Sequence, residues 1–271
     1  MDARTFLGME PVGDQLHWQM RVEPQLTTPG NFLFGGCGLG AALVALEGAA
    51  GRPTVWATGQ YLSYAPTHSL MEWEVTLPVV GGHVTQGRAV GRVDGREILT
   101  VNAALGQDDL DVGGVWVTPP DVPDPEDCPP RFLPAMFRNT IMDKVEVRTA
   151  KGRMFDEMHG EPGSPESALW ARVPGHLSPS AATLAIFGDY VSGGVSHPIG
   201  RRAMGRSLDN TLRVVQLKPT EWVLCDIRMH ALIGGYAQGI AFLWSREGDL
   251  LATASQSVAV RLWPDDLQTG K

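Results

Sequence analysis

Asp209, His230 and Gln256 are side chains of types that can handle a water molecule. Asp209 stands in Ser207-Leu208-Asp209 at the start of a strand-like run. A carboxylate at the edge of an apolar sheet loses hydration, which raises its pKa towards the range of a general base. Gln256 closes the run Ala254-Ser255-Gln256. Its amide accepts through the carbonyl and donates through the nitrogen, so it suits positioning. His230, on another strand-like run, can bond the same water or act as base when neutral. A second group is Gly35-Gly36-Cys37, where a long apolar helix begins. The first N–H groups of a helix lack helical acceptors, and glycine lets a ligand approach the backbone, so this turn is a candidate oxyanion or substrate-binding site.

Each residue also has a plainer reading. Asp209 fits a turn at a strand start. Gln256 fits a solvated strand position, and His230 fits a buried, satisfied histidine. Cys37 fits a small helix-packing residue, and the two glycines fit tight helix–sheet contact. His83, His176 and His197 lack ligand-like spacing, so no metal is expected.

The elements that must hold these residues repeat. Pro66-Thr67 matches Pro219-Thr220, Gly81-Gly82 matches Gly234-Gly235, and Asp94-Gly95 matches Glu247-Gly248, each 153 residues later. Three turn signals in constant register predict strands of equal length between them. Those strands are 69–79, 83–93 and 97–105 in the first half, and 222–232, 236–245 and 250–262 in the second. Further strands are expected at 16–22, 145–148 and 168–173. Residues 36–50 are apolar almost all round, the pattern of a helix buried in its own domain. In the second half Ser178 is read as the N-cap and Pro179 as the first helical residue of a helix over 181–190. Residues 192–205 then read as a loop inserted between helix and strands. Residues 117–130, rich in Pro and Asp, read as a linker. Two α+β domains follow, 1–125 and 126–271, each a strand, a buried helix and then antiparallel strands.

Composition narrows the function classes. The chain has 271 residues, 43% of them hydrophobic, and a formal charge of −8. That is ample for a full core, and the acidic balance argues against a nucleic-acid partner. Three scattered cysteines fit neither a disulfide framework nor a zinc site, and a reducing, cytoplasmic setting is expected. Met1-Asp2-Ala3-Arg4 does not begin a signal peptide, and no stretch is apolar enough to span a membrane.

Four ordered cues carry a resemblance to a known family: Phe34-Gly35-Gly36 before the apolar helix, Ser207-Leu208-Asp209, Glu221-Trp222-Val223-Leu224, and Ala254-Ser255-Gln256 followed by Val260-Arg261. With the repeat, they make the chain resemble the acyl-CoA thioesterase II (TesB-like) family of tandem, or double, hotdog proteins. The resemblance implies two antiparallel sheets, each wrapping a long helix and joined as a pseudo-dimer. It also implies hydrolysis of an acyl-CoA thioester to a carboxylic acid and coenzyme A. An Asp, a Thr or Ser, and a Gln bind and activate the water in that family. Asp209 falls on the Asp, Gln256 on the Gln, and His230 on the Thr position. Cys37 replaces the usual Gln after Phe-Gly-Gly. Coenzyme A enters as part of the substrate, with no other cofactor, and further homo-oligomerisation is expected. Arg201, Arg202 and Arg206 are candidates to meet its phosphates. Trp56, Tyr61, Tyr64, Phe187 and Tyr190 are candidates to close the acyl pocket. Two alternatives remain open: a hotdog hydratase or dehydratase using an Asp–His pair, and an acyl-CoA-binding protein without turnover.

Overall fold

The computed structural model describes residues 1–154, 157–175 and 177–263. The first half contains α1 (Ala3–Leu7), β1 (Glu10–Val12), β2 (Asp14–Arg21), α2 (Gly35–Ala50), β3 (Thr54–Tyr61), β4 (Leu70–Val80), β5 (Val84–Val93) and β6 (Arg96–Gly106). The second contains α3 (Ile141–Lys144), β7 (Glu146–Lys151), β8 (Glu166–Arg172), α4 (Ala181–Gly188), α5 (Ser196–Ile199), β9 (Ala203–Ser207), β10 (Asp209–Val214), β11 (Val223–Ile233), β12 (Tyr236–Ser245) and β13 (Leu250–Leu262).

The strands join in one antiparallel sheet of order β1-β2-β4-β5-β6-β3-β10-β13-β12-β11-β8-β7, with β9 pairing β13. Both helical segments are buried against its inner face. This is the double hotdog arrangement. The repeat is visible at the seam, where Thr58 of β3 pairs with Thr211 of β10 and their hydroxyls meet at 2.8 Å. These two threonines are related by the 153-residue shift. An antiparallel pair of equivalent residues places a local two-fold axis between them.

Turn chemistry sets the strand lengths. Asp94 and Gly95 both adopt positive φ (49° and 77°), as do Gly234 and Gly235 (61° and 82°). These are the conformations of tight hairpins whose twist matches the flanking strands. The helices α2 and α4 approach closely because α2 presents glycine to α4. A Cβ on Gly36 would lie 2.8 Å from the Ala185 carbonyl oxygen, and one on Gly40 would lie 2.9 Å from that of Ala182.

Two local expectations are corrected. Ser180, rather than Ser178, caps α4: its hydroxyl accepts from the Thr183 N–H at 3.1 Å. Residues 192–205 are not an inserted loop. Asp189–Val195 continue α4 as a 3-10 helix, α5 follows, and β9 begins at Ala203. Gly193-Gly194 disfavours helix, yet a Cβ at Gly194 would come within 2.7 Å of Ile227, so the close seat on β11 requires glycine. The proline-rich connection is docked rather than free. Cys128 is buried with Trp170, Trp222 and Trp244, and the Trp170 indole donates to the Pro123 carbonyl at 2.9 Å. Among the described residues, no helix is long and apolar enough to cross a membrane.

Candidate active site

The buried polar centre of the molecule is Asp189, at the end of α4 and only 3% exposed. One carboxylate oxygen, Oδ2, accepts from the Gly36 N–H at 2.7 Å. The other, Oδ1, accepts from Gln256 Nε2, and at 3.4 Å from both the Ser207 hydroxyl and Asn210 Nδ2. Gln256 Nε2 also donates to Ser207 Oγ at 3.2 Å, and its Oε1 accepts from the Ser192 N–H at 3.0 Å. The Ser192 bond fixes the amide orientation, so nitrogen faces the carboxylate. The residues come from α2, α4, β9, β10 and β13, so both halves build the site.

Burial pushes the Asp189 carboxyl up to about 7, against its hydrogen bonds to Gly36, Gln256, Ser207 and Asn210, which pull it down. The group is therefore poised between acid and base near neutrality. Tyr61 lies alongside, with burial and then Asp189 pushing its phenol well up, against a hydrogen bond with Asn210 that pulls it down. A Cβ on Gly35 would stand 2.9 Å from Asp189 Oδ2 and 3.0 Å from the Tyr61 hydroxyl, so a side chain there would crowd the carboxylate.

The expected residues separate into two sets. Gln256, Gly35, Gly36 and Cys37 are at the centre. Cys37 is fully buried, and burial together with Asp189 holds its thiol well above the usual range, which suits packing and not thiolate chemistry. Asp209 and His230 are not brought to Gln256, which corrects the Asp–His–Gln constellation. Asp209 Oδ1 accepts from the Ser257 N–H at 2.7 Å, fastening the β9–β10 junction to β13. Its neighbour Asn210 faces Asp189, and strand side chains alternate, so Asp209 faces away. His230 falls in the β11 bulge between Met229 and Ala231 and is exposed. The register runs Met229–Gly239–Gln256, so His230 lies about two strand spacings away, roughly 10 Å. It borders a separate cavity of ≈ 250 Å³ with Pro165, Ile199 and Leu232.

Asp189, Ser207 and Asn210 were missed. The signal was available: Phe34-Gly35-Gly36 is followed 153 residues later by Phe187-Gly188-Asp189. The repeat thus places Asp189 opposite Gly36, the residue whose N–H it binds.

Beside Asp189 opens a cavity of ≈ 220 Å³, bounded by Phe34, Tyr190, Ser192, Gly193 and the inner face of β7 and β8. Phe132, Leu133, Phe137, Met142, Met154 and Met158 make much of its wall apolar. Tyr190 closes part of this cavity, whereas Phe187 packs in the core. Among the described residues no cluster of His, Cys, Asp or Glu could hold a metal ion; His176 lies outside them.

Residues 125–260 match the family described as the acyl-CoA thioesterase C-terminal domain. Among solved structures, a protein of Novosphingobium aromaticivorans provisionally assigned as a thioesterase is 33% identical. The match covers 92% of this chain and 97% of that one, with a TM-score of 0.83. A protein of Alicyclobacillus acidocaldarius described as having a hot dog fold is 20% identical over 97% of this chain and 98% of that one (TM-score 0.82). An acyl-CoA thioesterase II of Mycobacterium marinum is also 20% identical, over 97% and 99% (TM-score 0.75). The last two likenesses concern the fold alone. A search of curated protein sequences finds no match.

Proposed function

The chain belongs to the acyl-CoA thioesterase family, and from that premise we propose that it hydrolyses an acyl-CoA thioester by activated water at Asp189. The observation that carries this reading is the buried Asp189 carboxylate, held by Gln256, Ser207, Asn210 and the Gly36 N–H beside an apolar cavity. The family's Asp, Thr-or-Ser and Gln then correspond to Asp189, Ser207 and Gln256.

In the proposed reaction, water bound between Asp189, Ser207 and Gln256 attacks the thioester carbon while Asp189 takes its proton. The carbon–sulfur bond then breaks, the carboxylic acid remains, and the proton passes to the departing coenzyme A thiolate. The Gly36 N–H is committed to Asp189, so the other first-turn N–H groups of α2, those of Gly35 and Cys37, are the oxyanion donors of this scheme. No cofactor other than the coenzyme A of the substrate enters. All three cysteines are unpaired, which supports a cytoplasmic setting, and the sheet edges at β1 and β7 are the surfaces offered for homo-oligomerisation. The hydratase alternative draws its histidine from His230, which stands apart from Gln256.

The test is release of free coenzyme A from short, medium, long and aromatic acyl-CoAs. Wild-type protein should release it. Asp189→Asn should lose at least about a thousandfold in kcat, and Gln256→Ala at least about tenfold, the latter corresponding to about 1.4 kcal/mol. Tight binding without turnover by the wild type would make the protein a binder instead.

A further inference from the structure

We propose that the cavity beside Asp189 selects an acyl group carrying its own carboxylate, anchored in the cavity by Arg131 and its neighbour Tyr190. This deepens the thioesterase reading and rests on it. The cavity is apolar in most of its wall but is also lined by Arg131, whose charge an alkyl chain would leave unanswered. The Tyr190 side chain is buried, and burial pushes its phenol up while the charge of Arg131 and a hydrogen bond with it pull the other way. Arg131 lies against it, its guanidinium 5.6 Å from the ring centroid. Arg131 Nε is buried and has no hydrogen-bond partner among the described residues. Its Nη2 donates to the Met142 carbonyl at 2.8 Å, while the acceptor found for Nη1 is the Met142 sulfur at 3.7 Å, a weak one.

The charge balance points the same way. Arg131, Lys151 and Arg153 all line the cavity, and among the described residues Asp189 is the one carboxylate in its lining. Lys151 is already paired with Glu166 at 2.6 Å. Arg153 donates to the backbone carbonyls of Glu161 and Pro162, so neither guanidinium has a carboxylate partner among the described residues. Arg131 is part-buried, where a cation gains from a counter-ion, and a ligand carboxylate supplies one with charge-assisted bonds. The methylenes of such a ligand suit Phe132, Phe137, Met142 and Met154, which line the same space. The ligand class is therefore the mono-thioester of a straight-chain dicarboxylic acid.

Matched pairs of substrates test this: butyryl- against succinyl-CoA, hexanoyl- against adipoyl-CoA, and octanoyl- against suberoyl-CoA. For at least one chain length, wild-type kcat/KM should be tenfold or more higher for the carboxylate-ended member. Arg131→Gln should bring that ratio close to one, and Tyr190→Phe, which keeps the ring, should lower it severalfold. If Arg131→Gln does not fold, the Tyr190→Phe ratio decides. Equal or better turnover of every methyl-ended partner would overturn the proposal and leave the thioesterase reading standing; so would a preference that survives both substitutions. If no thioester is cleaved, the thioesterase reading fails, and the anchor is judged by calorimetry of the same pairs. Tenfold tighter binding of a carboxylate-ended member then supports it, and equal affinity overturns it.

Discussion

The Asp189 side chain is set by two opposed influences. Burial raises its pKa, four hydrogen-bond donors lower it, and burial prevails to give about 7. If its ionised form is the base, kcat/KM should rise with pH and level off above about 7, a limb that Asp189→Asn should remove; a flat wild-type profile from pH 5 to 8 would exclude this role. The same shift acts on stability. A carboxyl whose folded pKa exceeds its unfolded 3.8 favours folding fully below that value, and the contribution is lost as pH rises through about 7. The size is on the order of 4 kcal/mol. Wild type minus Asp189→Asn, measured by urea unfolding, should therefore become less favourable between pH 4.5 and 8, and an unchanging difference would contradict the buried assignment. Asp209→Ala, by contrast, removes the bond to the Ser257 N–H, costing about 1 kcal/mol, and should leave kcat within about threefold. Gln256 was readable through the family cue Ala254-Ser255-Gln256; with Thr253, Ser255 and Ser257 around it, the strand by itself does not single it out. Asp189 was not: it terminates an apolar helix, and its partners come from strands distant in sequence. Asp209 drew attention through its strand-start position, where local sequence does not reveal which face a side chain takes.

At the scale of elements, the contact between α2 and α4 places the Gly36 N–H on Asp189. Gly36 and Gly40 are one turn apart and both meet the α4 backbone, so they form the contact stripe. Gly40→Ala puts a Cβ 2.9 Å from the Ala182 carbonyl oxygen and should destabilise by about 1–3 kcal/mol, even though alanine is the better helix former. Chemical denaturation checks this, and a stabilised variant would show that the helices yield without cost. Gly36→Ala should in addition depress kcat, because its Cβ would stand 2.9 Å from the Asp189 Cβ. The hairpins were legible from Asp94-Gly95 and Gly234-Gly235, since positive φ at both central residues leaves few candidates. The 3-10 helix over Asp189–Val195 was not legible. Its Gly193-Gly194 argues locally for a loop, and contact with Ile227 and Met229 of β11 supplies what propensity lacks.

At the scale of the whole molecule, the two-fold repeat is structural but not chemical. The 153-residue shift that relates Thr58 to Thr211 also relates Gly36 to Asp189, Ala57 to Asn210 and Ala103 to Gln256. The first-half counterparts Gly36, Ala57 and Ala103 carry no carboxylate and no amide, so the triad of Asp189, Asn210 and Gln256 is not repeated there. The site at Asp189 in turn borrows the Gly36 N–H and Phe34 from the first half. Duplication therefore turns one half into a donor of backbone groups and cover, and the other into the bearer of acid–base chemistry. One ligand per chain follows. Calorimetric titration of Asp189→Asn protein with an acyl-CoA that the wild type cleaves should give a stoichiometry of one per chain, whatever the oligomeric state. Two equivalents at comparable affinity would mean that the Gly36 side of the pseudo-dimer also forms a pocket, and that the division of labour between the halves is not the one drawn from Asp189.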